Sequence, residues 1–189
     1  MINRREALSR VAIIMGGTVL GAEAFLTGCK TNTKGVTFTQ ADIDFLNEVG
    51  ETILPATDTP GAKAANVGAF MQTMVSDCYE AKDQEIFIKG MEELKFKASK
   101  AKMGKAFMEA TPEERTAFLT ELDKEAKEYQ KNKKKEDPTH YFTMMKQLTL
   151  SGLFTSKIGA TEVLRYVAVP GKYEGCVPYT KGEKAWATS

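Results

Sequence analysis

Thr111-Pro112-Glu113-Glu114-Arg115-Thr116-Ala117-Phe118-Leu119-Thr120-Glu121-Leu122 is the stretch that decides the fold class. Thr111 is placed to cap a helix, and Pro112 suits the first helical position because an N–H there has no intrahelical partner. Glu114, three residues after the cap, can return a hydrogen bond to the Thr111 backbone. Phe118, Leu119 and Leu122, then Ala126 and Tyr129, recur at the three- and four-residue steps of one helix face. The basic run Lys131 to Lys135 follows, where the helix dipole leaves partial negative charge. It reads as a solvated helix end rather than a nucleic-acid patch.

Upstream the same grammar repeats. Thr39 caps a first helix with Asp42 three later, and Ile43, Leu46, Gly50, Ile53 and Leu54 follow at helical spacing until Pro55 stops it. Pro55-Ala56-Thr57-Asp58-Thr59-Pro60-Gly61-Ala62 is a loop punctuated by Pro and Gly. Val67 to Cys78 fits a second helix, and Asp83 to about Lys100 a third through Ile86, Phe87, Gly90, Met91 and Leu94. Downstream, Asp137-Pro138 opens a helix to Lys157 or Ile158, with Gly159 as its stop and a short helix from Thr161 to Tyr166. The last twenty residues carry Pro170-Gly171, Gly175, Pro178 and Gly182 and no periodicity. The expected fold is all-α: one helical domain of five or six helices over residues 39–189, with an irregular C-terminal arm and no internal repeat.

Composition is that of an ordinary globular domain. The 189 residues are 42% hydrophobic and 27% charged, and 26 Lys and Arg against 25 Asp and Glu leave a net charge of +1. Such a balance provides no global field for nucleic acid.

The N-terminus reads as an address. Arg4-Arg5, with Leu8 behind them, resemble the twin-arginine signal of bacteria, which is read by a translocase that carries folded proteins. Val11 to Ala22 is apolar but rich in glycine, and at 1.5 Å per residue it spans roughly 18 Å, short of a bilayer core. Leu26-Thr27-Gly28-Cys29 resembles a lipobox, in which the Cys29 thiol accepts a diacylglycerol and the acyl chains supply the membrane affinity. Residues 1–28 are therefore expected to be a cleavable signal and 29–38 a polar tether, placing the mature chain in the periplasm, lipid-anchored to a bacterial membrane. Cys78 and Cys176 remain as two further thiols, which either pair in an oxidising compartment or sit buried separately.

Chemistry is scarce. His140 is the single histidine and lies beside a helix start, where packing accounts for it. There is no CxxCH, CxxC, GxGxxG or Walker-type loop. Asp42 and Asp44, and Glu92 and Glu93, read as solvated helix charge rather than as paired catalytic carboxylates. No catalytic, cofactor or metal residue is expected in this chain. A small helical domain of this kind works by binding, and the irregular segments are the candidate contact residues: Pro55, Thr57, Asp58, Pro60 and Gly61 of the loop, and the anchors Tyr173, Tyr179 and Trp186 of the arm. The arm either docks on a partner or packs on its own bundle with Trp186 over the core.

Several of these pieces together resemble the gluconate 2-dehydrogenase subunit 3 family. They are Ile53-Leu54-Pro55-Ala56-Thr57-Asp58-Thr59-Pro60-Gly61-Ala62, the helix from Val67-Gly68 to Asp77-Cys78, Phe142 to Ser156, Tyr166 to Tyr173, and Ala185-Trp186. The resemblance implies a small subunit that pairs with a flavin-dependent sugar or sugar-acid dehydrogenase of the glucose–methanol–choline class, with FAD in that large subunit and a cytochrome c as electron acceptor. It also implies that the small subunit escorts its partner through the twin-arginine translocase and supports its maturation. A free-standing periplasmic lipoprotein that binds a small ligand or another protein is the alternative.

Overall fold

A computed structural model describes residues 36–189 apart from 170, 173, 174, 188 and 189. Arg4, Arg5, Cys29 and Tyr173 lie outside the described residues. One compact unit runs from Thr37 to Ser189. It contains α1 (Gln40–Ile53), α2 (Val67–Cys78), α3 (Ala81–Glu92), α4 (Ser99–Met103), α5 (Pro112–Asn132) and α6 (Tyr141–Phe154). Wider π-turns span Glu93–Ala98 and Gly159–Val163, and Phe107–Glu109 forms a 3₁₀ turn. Among the described residues there is no strand, so the all-α expectation holds.

The two helix starts predicted at Thr39 and Thr111 carry the full reciprocal cap. The Thr39 hydroxyl accepts from the Asp42 N–H while Asp42 accepts from the Thr39 backbone, and Thr111 and Glu114 do the same for α5. Asp42 is not solvated, however. It also pairs with Lys95 in the π-turn that follows α3, and both side chains are largely buried. Burial alone would raise the Asp42 carboxyl; Lys95 and the Thr39 hydrogen bonds outweigh it and hold the group below its ordinary range.

Helix α6 is the hub, packing against α1, α2, α3 and α5. Phe142, Met144, Met145, Leu148 and Leu153 are buried on several sides of it, so its sequence carries no single apolar stripe. Its one fully buried hydroxyl, Thr149 Oγ1, donates to the Met145 carbonyl at 2.8 Å. At the crossing with α3, a Cβ added to Gly90 would fall 2.1 Å from Tyr141 Cγ, so α3 needs a glycine there to approach. Burial, with Glu93 and Glu125 nearby, pushes the Tyr141 phenol up to about 12.

Several boundaries differ from expectation. The third helix starts at Ala81 and widens at Glu93 instead of running on as one α-helix. Leu94 and Ser99, five residues apart, are both fully buried, a step that an α-turn would rotate out of register and a π-turn keeps inside. α6 begins at Tyr141 rather than at Pro138, because Asp137 closes its own turn onto Lys134 N–H at 2.8 Å. His140 then caps the helix, its Nδ1 accepting from Phe142 N–H at 3.2 Å. α6 ends at Phe154, where Ser156 Oγ donates to the Leu153 carbonyl and accepts from Gly159 N–H. Gly159 is buried and opens the π-turn in place of the expected short helix at Thr161–Tyr166.

Candidate functional site

The loop after α1 is folded around a carboxylate. Glu51, in the last turn of α1, accepts from Ala56 N–H through Oε1 and from Lys63 N–H through Oε2, both at 2.8 Å. Ala62 N–H closes back onto the Leu54 carbonyl at 2.9 Å. Gly61 is buried beneath the loop, and a Cβ there would sit 2.5 Å from both Glu51 oxygens and from Ala56 N. Gly61 therefore permits the fold of the loop and is not available to a partner. Pro55, Thr57 and Asp58 are exposed, and Pro60 is half-buried.

A second layer of charge holds this corner. Glu48, one turn before Glu51, pairs with Lys63 and receives Arg115 Nη1 at 2.8 Å. Arg115 also donates through Nε to the Phe107 carbonyl at 3.0 Å and through Nη2 to the Met108 carbonyl at 2.8 Å. One guanidinium thus joins α1, α5 and the 3₁₀ turn, a use of its fixed fork that lysine could not copy. The Lys63 ammonium, assisted by Arg115, holds the Glu48 carboxyl below its ordinary range against the opposing effect of burial. On the far side of the loop, Asn47 Oδ1 accepts from Gly68 N–H at 2.8 Å and Asn47 Nδ2 donates to Asn66 Oδ1 at 3.0 Å. Asn66 takes the left-handed conformation that this return requires, φ 51°.

Beside the loop base, where α1 ends, lies a groove of about 250 Å³ between α1, α5 and α6. Leu119 and Phe142 are buried at its floor, while Ile53, Thr120 and the ion pair of Asp123 with Lys146, at 2.7 Å, line its sides. Ligand pockets usually hold roughly 300–1,000 Å³. This one suits a side chain better than a nucleotide cofactor.

The arm makes a clasp of its own. Arg165 N–H donates to the Ala185 carbonyl at 2.8 Å, Ala187 N–H to the Arg165 carbonyl at 3.0 Å, and the Arg165 guanidinium lies 3.7 Å from the Trp186 ring centre. Arg165 also pairs with Glu183, and Lys184 donates to the Glu162 carbonyl. Trp186 remains 47% exposed, so it covers Arg165 and not the core. Tyr179 is 83% exposed. Cys78 and Cys176 are both exposed free thiols; the disulfide is not formed, nor is either cysteine buried.

Among the described residues, no group of three or more His, Cys, Asp or Glu side chains could hold a metal ion, and no helix is long and apolar enough to cross a membrane. Sequence reading missed Glu48, Glu51, Asn47 and Arg115. Their partners lie between five and 67 residues away, beyond any local motif.

The model of the family described as gluconate 2-dehydrogenase subunit 3 matches residues 40–171, from the first residue of α1 past the π-turn after α6. The chain belongs to this family. The subunit 3 family consists of small subunits of dehydrogenase complexes, and membership implies association with other subunits of such a complex. The Glu51 loop and the groove lie inside the matched span, whereas Tyr179 and Trp186 lie beyond it. No curated protein and no solved structure matches the chain.

Proposed function

We propose that this subunit 3 chain is the non-catalytic small subunit of a periplasmic flavin-dependent dehydrogenase of the glucose–methanol–choline class, acting on a sugar or sugar acid. FAD and the catalytic groups reside in the large partner, and a cytochrome c accepts the electrons. The chain escorts its folded partner through the twin-arginine translocase by way of Arg4 and Arg5, supports its maturation, and anchors the complex to the membrane through lipid on Cys29. Partner contact falls to the exposed part of the Pro55–Ala62 loop and to the arm that carries Tyr173, Tyr179 and Trp186.

Family membership over residues 40–171 carries this reading. The twin-arginine pair and the lipobox supply the route and the anchor. Replacing Arg4 and Arg5 together with lysine tests the escort, because translocase recognition needs guanidinium groups. The expected result is precursor and dehydrogenase activity both stranded in the cytoplasm. Normal periplasmic activity in that variant would refute the escort role.

A further inference from the structure

Glu93 and Glu109 bracket a stretch, Leu94 to Met108, that holds five lysines and no acidic residue. It forms most of the π-turn after α3, all of α4 and the start of the 3₁₀ turn. Two large apolar side chains stand out from it, Phe96 at 65% exposure and Met108 at 47%, on two turns that pack against each other. Phe96 is not a loose end. Lys95 before it pairs with Asp42 and lies 5.2 Å from the centre of the Phe45 ring. Ser99 after it is buried and donates Oγ to the Lys95 carbonyl at 2.9 Å. The turn is thus fastened on both sides while the ring between stays in water, and π-turns of this kind recur at functional sites.

The course of the chain says what covers the ring. Asp42 belongs to the cap of Thr39, and Phe38 is buried with its ring centre 6.4 Å from that of Phe87, so the tether enters the domain beside Lys95. Phe38 is nine positions after Cys29, a span of at most roughly 30 Å. A diacylglycerol on Cys29 therefore holds this corner close to the bilayer surface. The charges suit anionic headgroups. The tether carries Lys30 and Lys34 and no acidic residue. In the stretch itself Lys95, Lys102 and Lys105 are engaged by Asp42, Glu125 and Glu114, but Lys100 is exposed and has no ion pair among the described residues. An exposed phenylalanine flanked by lysines is the chemistry of an interfacial contact: the ring enters the headgroup–acyl boundary and the ammonium groups stay with lipid phosphate.

We infer that the Phe96 corner is a membrane-contact site, in which Phe96 enters the headgroup layer of an anionic bilayer and Lys100 pairs with lipid phosphate. The acyl chains hold the domain at the membrane, and this contact sets how it stands there. The Pro55–Ala62 loop, at the opposite end of the 14-residue α1, about 21 Å from the tether, is left to the partner. The inference rests on the Cys29 anchor proposed above.

The test reconstitutes the full chain, isolated with its lipid, into vesicles of phosphatidylethanolamine and phosphatidylglycerol with brominated acyl chains. Trp186 is the single tryptophan, so Phe96→Trp combined with Trp186→Phe puts the only fluorescent indole at position 96. Its emission should move to the blue and lose about half of its intensity relative to unbrominated vesicles, as for a ring at the headgroup–acyl boundary. Adding Lys100→Glu, or replacing phosphatidylglycerol with phosphatidylcholine, should cut that quenching by about twofold or more. Asp58→Trp with Trp186→Phe, which probes the loop at the other end of α1, should remain unquenched.

A lipidated chain whose emission from position 96 is unquenched overturns the membrane contact and leaves the anchor standing. Equal quenching at positions 96 and 58 also overturns it, since the tether alone would then account for proximity. If position 96 ignores vesicles but shifts its emission when the dehydrogenase subunit is added, the partner covers Phe96 and the assignment is wrong. A wild-type chain that carries no lipid overturns the anchor and this contact together.

Discussion

The Glu51 carboxylate accepts the backbone N–H of Lys63 at 2.8 Å, across a separation of twelve residues, while its other oxygen holds Ala56. A single acidic side chain thereby sets the shape of a loop whose own residues contain no regular structure. Charge-assisted hydrogen bonds of this kind contribute about 1.5–3 kcal/mol each. Glu51→Gln keeps the size but offers one acceptor oxygen and one NH₂ group that opposes the second amide. It should lower stability by about 1–3 kcal/mol and speed amide exchange at Ala56 and Lys63 while exchange in α6 stays slow. Unchanged exchange at both amides would show that the carboxylate does not organise the loop.

The α3–α6 crossing gives a packing prediction. Gly90→Ala places a methyl group 2.1 Å from the Tyr141 ring, where Gly90 is buried and Tyr141 half-buried. Overpacking of this sort costs about 1–3 kcal/mol. Chemical denaturation of Gly90→Ala should show a lower midpoint with the same slope. A midpoint equal to that of the wild type would mean that the helices separate freely at this point.

His140 yields a pH dependence. Burial holds its imidazole below the ordinary value of 6.5, against the smaller opposing pull of Glu125 and Glu93. The neutral ring accepts from Phe142 N–H, and protonation at Nδ1 removes that acceptor. A histidine whose folded value is depressed contributes stability that is complete above its unfolded value and declines as pH falls. The denaturation midpoint should therefore drop as pH decreases from about 7.5 to 5.5. Asn, a good N-cap that does not titrate in this range, should flatten the slope in His140→Asn. An identical slope in that variant would remove His140 from the account.

These cases mark what the sequence made legible. The caps at Thr39 and Thr111 were readable because donor and acceptor lie three residues apart, within one turn. The start of α6 was not. Asp137-Pro138 has the chemistry of a helix opening, but Asp137 is taken by Lys134 and the weaker capping group His140 wins three residues later. Asp42 looked solvated because its partner Lys95 is 53 residues away. At the candidate site the exposed loop was visible from Pro and Gly punctuation. Its supports were not, because Glu51 and Glu48 look like any acidic residues of a surface helix until α1, α5 and the loop are brought together. The Arg165–Trp186 clasp stayed hidden for the same reason, being made across a segment without periodicity.

The anchor can be checked separately from the partner. Cys29→Ser removes the thiol that carries the lipid in this account. Cells fed labelled fatty acid should incorporate label into the wild-type chain and none into the variant. Equal labelling would place any lipid elsewhere.

The central claim is that this chain is the small subunit of a flavin-dependent dehydrogenase. Size-exclusion chromatography of the full chain, purified by its own tag after co-production with the dehydrogenase subunit and monitored for flavin absorbance, tests it most directly. The account predicts one peak that contains both polypeptides, with FAD released on denaturation from the large polypeptide and none from this chain. Elution of the chain by itself, free of flavin and of the dehydrogenase subunit, would contradict it.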